Sequence, residues 1–80
     1  MELHERYTDR HPGTVQVLKG FRIGHLREDL RGIVVSYADL VEQLLVRLPD
    51  GPETTVALRK LLESKDSAVR AAVYAVEETG

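Results

Sequence analysis

Leu48-Pro49-Asp50-Gly51-Pro52-Glu53 divides the chain into two helical halves. Pro49 drives Leu48 out of the α region, so a preceding helix stops there. Pro52 suits the first turn of a new helix, where its missing N–H costs nothing. Asp50 and Glu53 place acid at the new N-terminus, the favourable sign for the helix dipole. A break this short makes the two helices antiparallel neighbours.

Upstream of the break, Leu26, Leu30, Ile33, Tyr37, Leu40 and Leu44 recur with 4-3-4-3-4 spacing, the stripe of an amphipathic helix. Val34, Val41, Leu45 and Leu48 form a second stripe beside it. Tyr37 reads as core with its hydroxyl reaching an edge. Gly32 weakens this helix by up to ~1 kcal/mol against Ala, or marks a close approach of another backbone or a ligand. Downstream, Leu58, Leu61, Leu62, Val69, Ala72, Val73 and Val76 line one side, and Ala57, Ala68, Ala71 and Ala75 widen it. The pattern predicts helices over about 26–48 and 52–77. Residues 1–24 read as an irregular arm. His11-Pro12-Gly13-Thr14 is a turn signal, Val15 and Val17 alternate about Gln16 as in a short extended piece, and Gly20 and Gly24 discourage helix.

The expected fold is therefore all-α: an antiparallel two-helix hairpin with an irregular N-terminal arm, in one domain. With 80 residues the core is modest. Cysteine is absent, which excludes disulfides and thiolate metal sites. His4, His11 and His25 have no metal-ligand spacing. Association with further copies is the remaining source of stability, and the apolar stripes are wider than a single helix–helix contact requires. A homo-oligomeric helical bundle is expected; an arm covering a monomer is the alternative.

The formal net charge is −2 and the pI near 5.9. Neither a duplex nucleic-acid partner, which calls for a basic face, nor a membrane partner, which calls for a basic amphipathic helix or a long apolar run, is indicated. The polar start, MELHERYTDR, does not read as a signal peptide, so residence in the cytoplasm is expected.

Catalytic patterns are missing. Ser36, Ser64 and Ser67 lack a glycine elbow, and the adjacent acids Glu28-Asp29 and Glu77-Glu78 diverge around a helix. No enzyme activity and no cofactor are expected. A binding pattern is better represented. Lys19, Phe21 and Arg22 precede the first long helix, followed by His25, Arg27 and Arg31. A ring with several cations can hold a phosphorylated base by stacking and by a guanidinium fork. The competing reading makes Phe21 a plug for the end of the core, with the arginines solvated. Tyr7 allows the same two readings, and Arg59, Lys60, Lys65 and Arg70 are by default a solvated face.

The run Leu48-Pro49-Asp50-Gly51-Pro52-Glu53, with Ala57, Lys60-Leu61, Glu63 and Ala71-Ala72, resembles small phage proteins that inhibit cyclic-oligonucleotide-based antiphage signalling (CBASS). Those proteins show a Pro-Asp-Gly/Ser-x-Glu turn, an Ala-x-x-Lys-Leu-x-Glu helix and an Ala-Ala-rich end. Val69-Arg70-Ala71 is similar to an Arg-Ala-Val step in the same family. Lys19-Gly20-Phe21-Arg22 is similar to its Lys-Gly-Tyr-Arg segment, and Tyr7 with His11-Pro12 to its Tyr-His-x-Pro segment. The resemblance implies a helical hairpin assembled into a hexamer. It implies a sponge that binds cyclic dinucleotides, and in some members cyclic trinucleotides at a separate site, without cleaving them. It points to Phe21 for the base, to Lys19, Arg22, Arg27, Arg31 and Arg70 for phosphate, and to Tyr7. Val34 stands where the family has a basic residue, with Arg31 the nearest substitute. The competing class is a structural or adaptor module that oligomerises and takes no small ligand.

Overall fold

The computed structural model describes residues 1–79. They are all-α: α1 Leu3–Arg6, α2 Pro12–Leu18, a 3-10 turn Lys19–Phe21, α3 Glu28–Arg47 and α4 Pro52–Thr79, with no strand among the described residues. Leu48 has φ −107° and ψ 141°, the extended backbone that Pro49 imposes. Thr54 donates to the Pro49 carbonyl at 2.7 Å and the Thr55 N–H to the Gly51 carbonyl at 3.1 Å, which closes the turn onto α4. α3 and α4 pack on each other, and the Tyr37 hydroxyl meets Ser64 Oγ at 2.6 Å. The envelope is 44 × 24 × 18 Å, and α4, with 28 residues, runs nearly its full length at ~1.5 Å per residue. No helix of the described residues is long and apolar enough to cross a membrane.

The arm is where expectation and structure part. Residues 1–24 are largely helical and supply part of the core. His11-Pro12-Gly13 starts α2 rather than turning the chain: Pro12 stands in the first helical turn, and His11 Nδ1 accepts the Gly13 N–H at 3.0 Å. Val15 and Val17 lie inside α2, not in an extended piece. Thr14, Leu18 and Phe21, at 4-3 spacing, are all fully buried. They present one continuous face, and α2 packs on α4 while the 3-10 turn packs on α3. A Cβ at Gly20 would overlap the Leu62 methyls, so this glycine sets how closely the arm approaches α4. Gly32 is the reverse case: nothing lies within 4 Å of the position a Cβ would take, so it marks no close approach within this chain.

The core comprises Leu3, Leu18, Phe21, Ala38, Val41, Leu45 and Leu58, ringed by half-buried Tyr7, Val17, Ile23, Tyr37, Leu44, Leu61 and Leu62. On α3 the buried seam is Leu30, Val34, Ala38, Val41 and Leu45. The expected leading stripe is rotated outward: Ile33, Tyr37 and Leu44 are half-buried and Leu40 is exposed. Val34, Val41 and Leu45 of the second stripe take the buried side, with the small Ala38 among them.

The arm is latched at both ends. The Glu2 carboxylate accepts the Ile23 and Gly24 N–H groups at 3.0–3.2 Å, and the Gly24 bond above all lowers its pKa. Arg10 reaches the other end of α3, donating to the carbonyls of Leu45 at 2.8 Å and Leu48 at 3.0 Å and to Asp50 Oδ1 at 2.8 Å. Asp50 also accepts the His11 N–H at 3.2 Å. Asp50 therefore anchors the arm to the turn before α4. Two side-chain groups of the arm are buried with no hydrogen-bond partner among the described residues, His4 Nδ1 and the hydroxyl of Thr14. Replacing the Thr14 hydroxyl by a methyl removes a desolvation cost at constant shape. Thr14→Val is expected to stabilise the chain by about 1 kcal/mol, raising Tm by roughly 4–8 °C in a thermal melt. A lowered Tm would contradict it.

Candidate functional site

The latched arm, α3 and α4 line an open-sided cavity of about 400 Å³. Its walls are Lys19, Gly20, Arg22, His25 and Leu26 from the segment joining α2 to α3, Val34 from α3, and Lys65, Asp66, Val69 and Arg70 from α4. The local chemistry explains the convergence. Phe21 turns its ring into the core and is fully buried, which leaves its neighbours Lys19 and Arg22 on the outside, both exposed. Arg22 leaves the 3-10 turn in extended backbone, φ −66° and ψ 143°, and its Nε donates to the Lys19 carbonyl at 3.1 Å. The Glu2 latch fixes the next two residues, and the Leu26 N–H closes back on the Ile23 carbonyl at 3.1 Å. On α4, residues 65, 66, 69 and 70 share one face by i, i+4 spacing. Lys65 is mostly buried, at 14% side-chain exposure, and its ammonium lies 2.6 Å from Asp66 Oδ1. Arg70 donates to Ser67 Oγ at 3.0 Å.

Four cations thus face one carboxylate around a half-open hollow with Leu26, Val34 and Val69 as its apolar part. Two other hollows lack this bias. One, of about 530 Å³ beside the turn, sets Arg59 and His11 against Asp50. Another, of about 560 Å³, sets Arg47 against Asp39 and Glu42. An anion is best matched to the first, where guanidinium and ammonium donors come from separate elements.

Of the residues singled out from the sequence, Lys19, Arg22 and Arg70 are brought together in this cavity. The other four are not. Phe21 is core, so its ring is closed to a ligand here, as the plug reading holds. Arg27 is the residue before α3 and pairs with Asp29 at 3.3 Å. Arg31 turns back to donate to the Leu26 carbonyl at 3.2 Å. A one-turn spacing set those two on one face, but that face lies outside the cavity. Tyr7 belongs to the latch of α1 on α3: its hydroxyl donates to Glu42 at 3.0 Å and its ring lies 5.7 Å from the Arg6 guanidinium carbon. The bond to Glu42 raises the Tyr7 pKa, and the bond from Arg6, then that from Tyr7, lowers that of Glu42. From the sequence Lys65 reads as solvated face, and Asp66 was left out. Their signal was positional: both lie one turn before Val69 and Arg70.

Among the described residues no group of three or more His, Asp or Glu side chains could hold a metal ion. Comparison with known protein families, with curated proteins and with solved structures gives no match.

Proposed function

We propose that this protein binds a cyclic di- or trinucleotide in the cavity between its arm and α4 and holds it without cleavage, so that a signalling effector is deprived of its activator. The observation that carries the reading is the convergence of Lys19, Arg22, Lys65 and Arg70 around an apolar-walled hollow. Its volume lies within the range of small-molecule sites. Lys19, Arg22 and Arg70 contact phosphate; Leu26, Val34 and Val69 receive the face of a base in place of Phe21. The choice of cyclic oligonucleotides, and of sequestration over turnover, follows the resemblance to the phage inhibitors of CBASS, whose setting is the cytoplasm of an infected cell.

The same reading makes the working unit an antiparallel hairpin assembled into a homo-oligomer, a hexamer by the resemblance. Leu40, 42% exposed, Val46, 74%, and Tyr74, 54%, support it, because large apolar side chains on the outside of both long helices suit a subunit interface. They equally favour a second reading, a helical adaptor without a small ligand.

Calorimetry and thermal shift against cyclic di- and trinucleotides separate the two. A ligand at a hundred times its Kd stabilises by about 2.7 kcal/mol. Arg70→Ala and Lys19→Ala are each expected to weaken binding about tenfold, near 1.4 kcal/mol. The nucleotide is expected to return intact after denaturation of the complex. Absence of binding to any cyclic nucleotide would leave the adaptor; recovery of a cleaved ligand would overturn sequestration.

A further inference from the structure

We infer that Asp66 selects the base, and that the base it selects is guanine; this rests on the reading of the cavity as a cyclic-nucleotide site. Four of the ionic groups on the cavity wall suit phosphate, and Asp66 does not. An ionised carboxylate only accepts hydrogen bonds, and it repels phosphate oxygens. The part of the ligand that meets Asp66 must therefore bring donors. Lys65, largely buried, pairs with the carboxylate at Oδ1, while the Asp66 side chain is 46% exposed and lines the hollow.

The bases differ in what they offer such a group. The Watson–Crick edge of guanine carries two neighbouring donors, N1–H and the 2-amino group, which match the two oxygens of one carboxylate. Adenine and cytosine each set an amino donor beside an acceptor nitrogen, and uracil flanks its single N–H with two carbonyl oxygens. Each of these three turns an acceptor toward the carboxylate. Val69 lies one turn beyond Asp66 on the same face of α4 and also lines the cavity. A base whose edge meets Asp66 therefore has an apolar side chain beside its plane.

The test compares two cyclic dinucleotides of the same linkage, one with two guanines and one with two adenines, by calorimetry on the wild type, Asp66→Ala and Asp66→Asn. Phosphate charge is identical in the pair, so a difference reports the base. The wild type is expected to bind the guanine ligand about tenfold more tightly or better, as polar pairing in a partly solvated site gives. Both variants are expected to lose that preference through weaker guanine binding, with adenine binding retained. Equal wild-type affinities, or a loss at Asp66→Ala that is the same for both ligands, would overturn the role of Asp66 while leaving the binding function standing. If neither these nor any other cyclic nucleotide binds the wild type, both readings fall.

Discussion

Phe21→Ala is expected to unfold much of the chain rather than to remove a ligand contact. The ring is fully buried among residues from the arm, α3 and α4. Truncating such a phenylalanine costs about 3–5 kcal/mol, from lost transfer energy and the cavity left behind. A chain this size is stabilised by roughly 4–12 kcal/mol in all. Urea melts followed by far-ultraviolet circular dichroism should show the midpoint falling by about a quarter or more. Phe21→Leu, which refills most of the space, should recover most of the loss and retain nucleotide binding. The opposite pattern, normal stability of Phe21→Ala with binding abolished, would mean that the ring turns outward to meet a ligand.

The second large effect is expected at Arg10. Its guanidinium serves two carbonyls at the C-terminal end of α3, Leu45 and Leu48, and the Asp50 carboxylate in the turn. The last carbonyls of a helix have no partner within it, and Arg10 supplies two of them from 35 and 38 residues away. Arg10→Ala removes both contacts, at a cost of roughly 2 kcal/mol for charge-assisted bonds in a partly solvated position. The Asp50 contact adds a pH dependence. The Arg10 bond lowers the Asp50 pKa in the folded state. Its contribution is therefore present above the unfolded carboxylate range and is lost as pH falls through the lowered folded value. The gap between wild type and Arg10→Ala should narrow in acid. A gap that stays constant from neutral pH to well below the carboxylate range would rule out the Asp50 contact in solution.

Local chemistry explains which features could be read from the sequence. Pro49 and Pro52 act on the backbone itself, so the break at residues 49–52 needed no knowledge of neighbours, and the long helices on either side of it follow. The arm was misread because its signals are tertiary. Gly13 and Gly20 lower intrinsic helicity, but Gly20 is there to let Leu62 come close. Thr14, a polar residue, begins the face that Leu18 and Phe21 continue. Ala38 was too small to enter a stripe built from large apolar residues, although its buried neighbours Val34, Val41 and Leu45 were read as the second stripe. At the cavity, Lys19, Arg22 and Arg70 were found by charge and by resemblance. Asp66 enters no motif in the sequence, and its place on the cavity wall depends on packing between segments distant in the chain.

The cavity wall is shared by the segment behind α2, by Val34 of α3 and by α4, and contacts distant in sequence hold these parts together. On the proposed function, capture of an anion across that wall and docking of the arm are thermodynamically linked. Whatever loosens the Glu2 or Arg10 latch lowers affinity without touching the ligand, and the ligand in turn tightens both latches by the same factor. Amide exchange in α1, which contributes no residue to the cavity wall, would then gauge its occupancy.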